Sequence, residues 1–275
     1  MVGRLVWLLK LEWLKFKNLR VFRALAIAYT LFLMAGLLVF KAMPELPGET
    51  FLQDLFAFPV IWKWLGYGGN WLSFFCLGFM GILSVTTEFT NRTARQNLIT
   101  GLRRDDFLKS KVLFLLAVAM AATVVYVLVG FAYGLLHSKL LSAALIFGSA
   151  GPWVIGRYFL MCLGYLTLGL SAGFLFRKSG LTIFAYIIYV SFGELFIRWV
   201  IHLKVLGGGR SMVYYPANAL GYIMPVPIGM DELAVMTRES GIDFIMRPTE
   251  AAVTVIVYTV LMIGGSWLLV RKRDF

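Results

Sequence analysis

Three groups of residues in this chain have the types and spacing that chemistry uses. Gly169-Leu170-Ser171-Ala172-Gly173 spells Gly-x-Ser-x-Gly, which in a hydrolase places a serine nucleophile on a strand–turn–helix elbow. Glu194 and Arg198 stand four residues apart, close enough to meet on one face of a helix. The segment 88–111, EFTNRTARQNLITGLRRDDFLKSK, is dense in both signs of charge. Other patterns are weaker. The cysteines, Cys76 and Cys162, have neither a disulfide framework nor metal-ligand spacing around them. Gly207-Gly208-Gly209-Arg210 is glycine-rich but lacks the Lys-Ser/Thr that completes a phosphate-cradling loop.

The elements that must hold these residues are apolar. The chain is 60% hydrophobic and 15% charged over 275 residues, with a mean hydropathy of +0.81. Soluble domains average about 45–50% apolar and about 25% charged, so an ordinary soluble enzyme and a disordered chain are both excluded. Six uncharged or nearly uncharged stretches approach the roughly 20 residues that a membrane crossing needs: Ala24–Phe40, Trp71–Thr87, Val112–Leu136, Trp153–Phe176, Leu181–Ile201 and Ala251–Val270. Met212–Met230 is also uncharged but contains Pro216, Pro225 and Pro227. Prolines break helices, so it is expected to enter the membrane and return as two short segments.

Charge sets the orientation. The net charge is +12, and the basic residues gather at the ends of apolar runs. That is a topology signal and gives no reason to expect a nucleic-acid partner. With six spans, segments 1–23, 88–111, 177–180 and 271–275 share one side and hold 17 of the 26 Lys and Arg. The positive-inside rule puts that side, and both termini, in the cytoplasm. The expected fold is an all-α integral membrane protein with one domain over 1–275. It has six transmembrane helices, an N-terminal interfacial elbow helix in 1–23, a cytoplasmic loop 88–111, and a re-entrant outer segment in 204–250 before the last span.

This frame reassigns the candidate chemistry. Ser171 falls near the inner end of the fourth span, whereas His137 and His202 fall near outer ends. The gap is most of the hydrocarbon core of about 30 Å, so the motif reads as small residues that let helices pack closely. Cys76 and Cys162 read as small buried hydrophobes. Glu194 and Arg198 lie in the outer part of the fifth span, where an ion pair could line a path or steady a dimer. Phe51–Trp64, rich in Phe and Trp, reads as an outer interfacial helix. Gly3–Arg20 mixes Trp and Leu with five basic residues, as in a helix lying on lipid with its long cations snorkelling to headgroups.

Loop 88–111 carries the most specific pattern. Thr100-Gly101 suggests a break between two short helices, and Asp105 and Asp106 suit the start of the second. Glu88 closes the second span, Arg92-Thr93 follows, Leu98 falls in a short helix, Gly101 marks a turn, Arg104 comes next, and Lys111 opens the third span. This order resembles the signature region of the permease subunits of type-2 ABC exporters. The likeness covers these 24 residues in motif and the rest of the chain in layout. Where the family commonly has Gly before the threonine, Arg92 stands, and the common Pro of the turn is Gly101.

The resemblance implies a bacterial inner-membrane permease that pairs with a second permease subunit, as a homo- or heterodimer, and is driven by cytoplasmic ABC ATPase subunits. Glu88, Arg92, Thr93, Asn97, Leu98, Gly101, Arg103, Arg104, Asp105 and Lys111 would then form the ATPase-coupling site, and Mg-ATP would bind the partner, with no cofactor on this chain. Membrane lipid is the other expected partner. Two rival readings are a scaffold of the same fold that moves no solute, and an ATP-independent channel or carrier. The carrier reading predicts matched broken spans or inverted repeats with charges at the midplane, and the sequence has neither.

Overall fold

The computed structural model describes residues 2–41, 56–91, 93, 96, 99, 103–138, 146–148, 151–207, 209–227 and 245–272. These form helices and turns, with no strand among them. In chain order the helices are α1 (Val2–Phe16), α2 (Arg20–Lys41), α3 (Val60–Thr90), α4 (Arg104–His137), α5 (Trp153–Phe176), α6 (Ser179–Val205), α7 (Pro216–Tyr222) and α8 (Pro248–Lys272). Helices α3, α4, α5, α6 and α8 are each long and apolar enough to cross a membrane, and the bent pair α1–α2 brings the number to six if it counts as one span. The architecture is that of an all-helical, multi-pass membrane protein.

Helix α1 meets α2 at 94° through a tight turn in which the Leu19 amide donates to the Phe16 carbonyl at 3.0 Å. Leu8, Glu12 and Phe16, spaced by four, are buried, while Leu5, Val6, Trp7, Trp13 and Leu14 are exposed. A helix that turns an acid inward and large apolar side chains outward reverses the soluble pattern and suits a lipid surface.

Helices α3 and α5 form the centre. Of their most apolar windows 72% and 61% is buried, against 17% for α6 and 22% for α8. Glycine makes the central contact possible. A Cβ at Gly81 would collide with the Leu166 carbonyl, and one at Gly169 with the Gly78 carbonyl. The Gly-x-Ser-x-Gly stretch is therefore a close-packing seam, and Ser171 Oγ donates to the Leu168 carbonyl of its own helix at 2.9 Å. Cys76 and Cys162 are buried free thiols.

Several boundaries differ from expectation. Helix α3 begins at Val60, before the expected Trp71. The stretch 51–64 is thus no separate interfacial helix where it is described: residues 56–59 form a turn and the helix runs on from Val60. Trp62 and Trp64 are buried. Trp62 stacks near Phe147 at 5.8 Å and its indole donates to the Ile146 carbonyl at 2.8 Å, so these aromatics fill the gap between helices and do not ring a headgroup layer. At the other end of α3 the charged loop is shorter than its sequence suggests. Helix α3 runs to Thr90 and α4 starts at Arg104. The second short helix expected at Asp105 is the first turn of α4 itself, since no Gly or Pro separates Arg104 from Val112.

Candidate functional site

The loop between α3 and α4 is anchored by a buried ionic cluster. Glu88 is supplied by the last turn of α3, Ser110 and Lys111 by the second turn of α4, and Glu12 and Lys15 by α1. Lys111 Nζ lies 2.6 Å from Glu12 Oε2 and also pairs with Glu88. Lys15 Nζ lies 2.9 Å from Glu12 Oε1 and 3.0 Å from Glu88 Oε1. Ser110 Oγ donates to Glu12 Oε1 at 3.1 Å. The Lys111 side chain is 0% exposed and those of Glu12 and Glu88 are 1% and 4% exposed. Among the described residues two carboxylates face two ammonium groups, and such pairing is how charge survives away from water. The rings of Phe16 and Phe107 flank Lys111 Nζ at 5.1 and 5.5 Å.

Burial pushes the Glu12 carboxyl up, but Lys111 and Lys15 together outweigh it and hold the group below its ordinary value. Burial likewise pushes the Lys15 ammonium down, and Glu12 and Glu88 more than reverse this, leaving it raised. Both partners are thereby kept charged.

A second layer sits on the first turn of α4. Asp106 pairs with Arg4 of α1. Asp105 accepts from Arg271 Nη2 at 3.0 Å and from the Trp267 indole at 2.9 Å, both on α8. Arg104 Nη1 donates to the Arg271 carbonyl at 2.7 Å. Arg103 precedes the helix, exposed, and its carbonyl receives the Phe107 amide at 3.0 Å.

Of the expected coupling residues, Glu88 and Lys111 thus meet in one buried cluster, Arg104 and Asp105 tie α4 to α8, and Arg103 faces outward. Thr93 makes a long contact of 3.4 Å to the Glu88 carbonyl. Arg92, Asn97, Leu98 and Gly101 lie outside the described residues. The sequence reading missed Glu12, Lys15 and Ser110. One signal pointed to Glu12: it is the only acid in the first twenty residues, and it shares a helix face with Leu8 and Phe16.

At the opposite end of the helices, Glu194 and Arg198 are near enough to attract each other, as their spacing suggests, but their hydrogen bonds go elsewhere. Helix α6 winds through π-turns at Tyr189–Gly193 and Ile197–His202, and both side chains reach α7 instead. Glu194 Oε2 accepts the Ala217 amide and Oε1 the Asn218 amide, each at 2.6 Å, so it caps the start of α7. Arg198 Nη1 donates to Asn218 Oδ1. The end of α7 is held by buried Asn70 of α3, whose Nδ2 donates to the Leu220 carbonyl at 3.0 Å while its Oδ1 accepts Tyr165 Oη at 2.6 Å. His202 joins Tyr215 Oη at 3.0 Å and Ser211 Oγ at 2.9 Å. Within the expected re-entrant segment, α7 is thereby a short helix pinned at both ends by the long ones. Residues 228–244 of that segment lie outside the described residues.

No protein-family model matches the chain, and no curated protein matches it.

Proposed function

We propose that the chain is the permease subunit of an ATP-driven exporter of the type-2 ABC class, paired with a second permease and driven by a separate cytoplasmic ATPase that docks on residues 88–111. The order of residues from Glu88 to Lys111 supports the class. The observation that carries the mechanism is the Glu12–Lys15–Glu88–Lys111 cluster.

A docking loop transmits force only if its roots are stiff. Here the root of α3 and the root of α4 are joined by Glu88 and Lys111, and Glu12 and Lys15 bind α1 to both. A push on the loop moves three helices as one body. Arg104 and Asp105 extend that body to α8. ATP-driven closure of the partner then tilts the helices and biases the assembly between inward and outward openings. In this reading the basic side of the helices is cytoplasmic, α1 lies in the inner interface, and α7 shapes the outer exit.

The test is purification of the tagged chain from its native membrane in mild detergent, with identification of whatever comes with it. A stoichiometric soluble protein bearing a P-loop is the expected result. Recovery of the chain without any ATPase rejects the coupling role of residues 88–111.

A further inference from the structure

The end of the molecule away from the ionic cluster contains a cavity of about 580 Å³ between α3, α5, α6 and α7, within the size range of about 300–1,000 Å³ typical of small-molecule pockets. Trp71, Phe74, Tyr222 and Pro225 give it apolar and aromatic walls, and Arg198 contributes a cation to its lining. A guanidinium carries five N–H donors in a planar fork. Among the described residues that of Arg198 has one acceptor, Asn218 Oδ1, and its Nε is buried with no partner. Glu194 also lines the cavity and attracts Arg198 through space, but its oxygens accept the amides of Ala217 and Asn218 and it makes no hydrogen bond to the guanidinium. A buried donor with no acceptor is costly, and a guanidinium edge fits two oxygens of one anion side by side.

We propose that this cavity binds a small amphiphilic anion: a phosphate or carboxylate held by the free edge of Arg198, with an apolar body against the aromatic wall. The anion oxygens accept from the part of the Arg198 guanidinium that lines the cavity, and the body packs on Trp71 and Phe74. Asn70 and Tyr165 are engaged with α7 and with each other, so they fix the wall and leave recognition to Arg198. The site needs only the packing of four helices and stands whether or not the chain exports anything. The anion is either a free solute or a lipid headgroup, which share this chemistry.

The test is equilibrium dialysis of 1-naphthyl phosphate against the purified chain in a neutral maltoside detergent. Saturable binding is expected, weakened about tenfold or more in Arg198→Gln, as loss of a charge-assisted contact implies. Gly221→Leu supplies a second variant that leaves Arg198 intact. A Cβ at Gly221 meets no atom within 4 Å, and the residue lines the cavity, so the larger side chain fills the space and abolishes binding. Displacement by inorganic phosphate supports the site and marks a free solute as its ligand. Displacement only by dihexanoyl phosphatidic acid supports it and marks a lipid headgroup. Four outcomes overturn the proposal: no saturable binding, displacement by neither competitor, 1-naphthol bound as tightly as its phosphate, or full binding by a folded Arg198→Gln or Gly221→Leu chain.

Discussion

Lys111 sits with its whole side chain removed from water, between two carboxylates. Removing one member of such a set leaves an uncompensated buried charge, at about 3–5 kcal/mol. Lys111→Met is expected near the lower end of that range, about 3 kcal/mol in a denaturant titration of the detergent-solubilised chain, because Lys15 remains beside both acids. Adding Glu88→Gln should recover part of the loss, by at least about 0.5 kcal/mol, as contacting residues couple. A strictly additive double mutant would mean that the two side chains do not share a charge balance. The pH dependence has a definite sign. Glu12 has a depressed value, so its contribution is present above its ordinary 4.5 and is lost as pH falls through the folded value. Lys15 has a raised value, so its contribution is present below 10.5 and is lost as pH rises through the folded value. Hydrogen exchange of α1 amides, corrected for intrinsic rates, should show flat protection from about pH 6 to pH 9 and a fall on stronger acidification. A midpoint near neutrality would place the controlling group elsewhere.

At the scale of helices, the α3–α5 seam is the sharpest packing constraint. The Cβ that Gly169→Ala adds would run into the Gly78 carbonyl, whereas Gly264→Ala in α8 meets nothing within 4 Å. Overpacking costs about 1–3 kcal/mol. Thermal unfolding in detergent should therefore separate the two variants clearly, with Gly264→Ala within about 0.5 kcal/mol of the parent. Equal midpoints would show that α3 and α5 do not approach through these glycines. This seam was legible as small residues four apart, because that spacing has one cheap use between packed helices. The apolar runs were legible for the same kind of reason, since length and hydropathy alone decide them. Helix ends were not. Residues 105–111 read as part of a separate short helix, yet they are the first turns of α4 itself, with charged side chains that find partners on α1 and α8, and a single segment does not reveal partners distant in sequence. The hydrogen bonds of Glu194 and Arg198 were hidden for a related reason. A spacing of four assumes an α-helix whose faces look at solvent or lipid, and here the winding changes and α7 offers two free amides to a carboxylate.

For the molecule as a whole, the first turn of α4 is where the two ends of the chain's helical order meet. Successive residues of a helix point about 100° apart, so Asp106 faces α1 and Asp105 faces α8 from adjacent positions. Acids in a first turn are favoured by the helix dipole, and here each also holds a cation from another element. Loop, α1, α4 and α8 therefore respond together, and a mutation meant to probe docking must not loosen this junction. Arg104 is unsuitable alone, because it donates to the Arg271 carbonyl. Arg103 is the cleaner probe, exposed and just ahead of the helix. Arg103→Glu is expected to leave the unfolding midpoint within about 0.5 kcal/mol of the parent and to lower the yield of co-purified ATPase several-fold. Arg104→Glu is expected to lower that yield and the midpoint together, since it removes a contact between α4 and α8. Undiminished ATPase with Arg103→Glu would move the docking surface off this end of the loop, while the junction formed by Asp105, Asp106, Arg4 and Arg271 would keep its structural role.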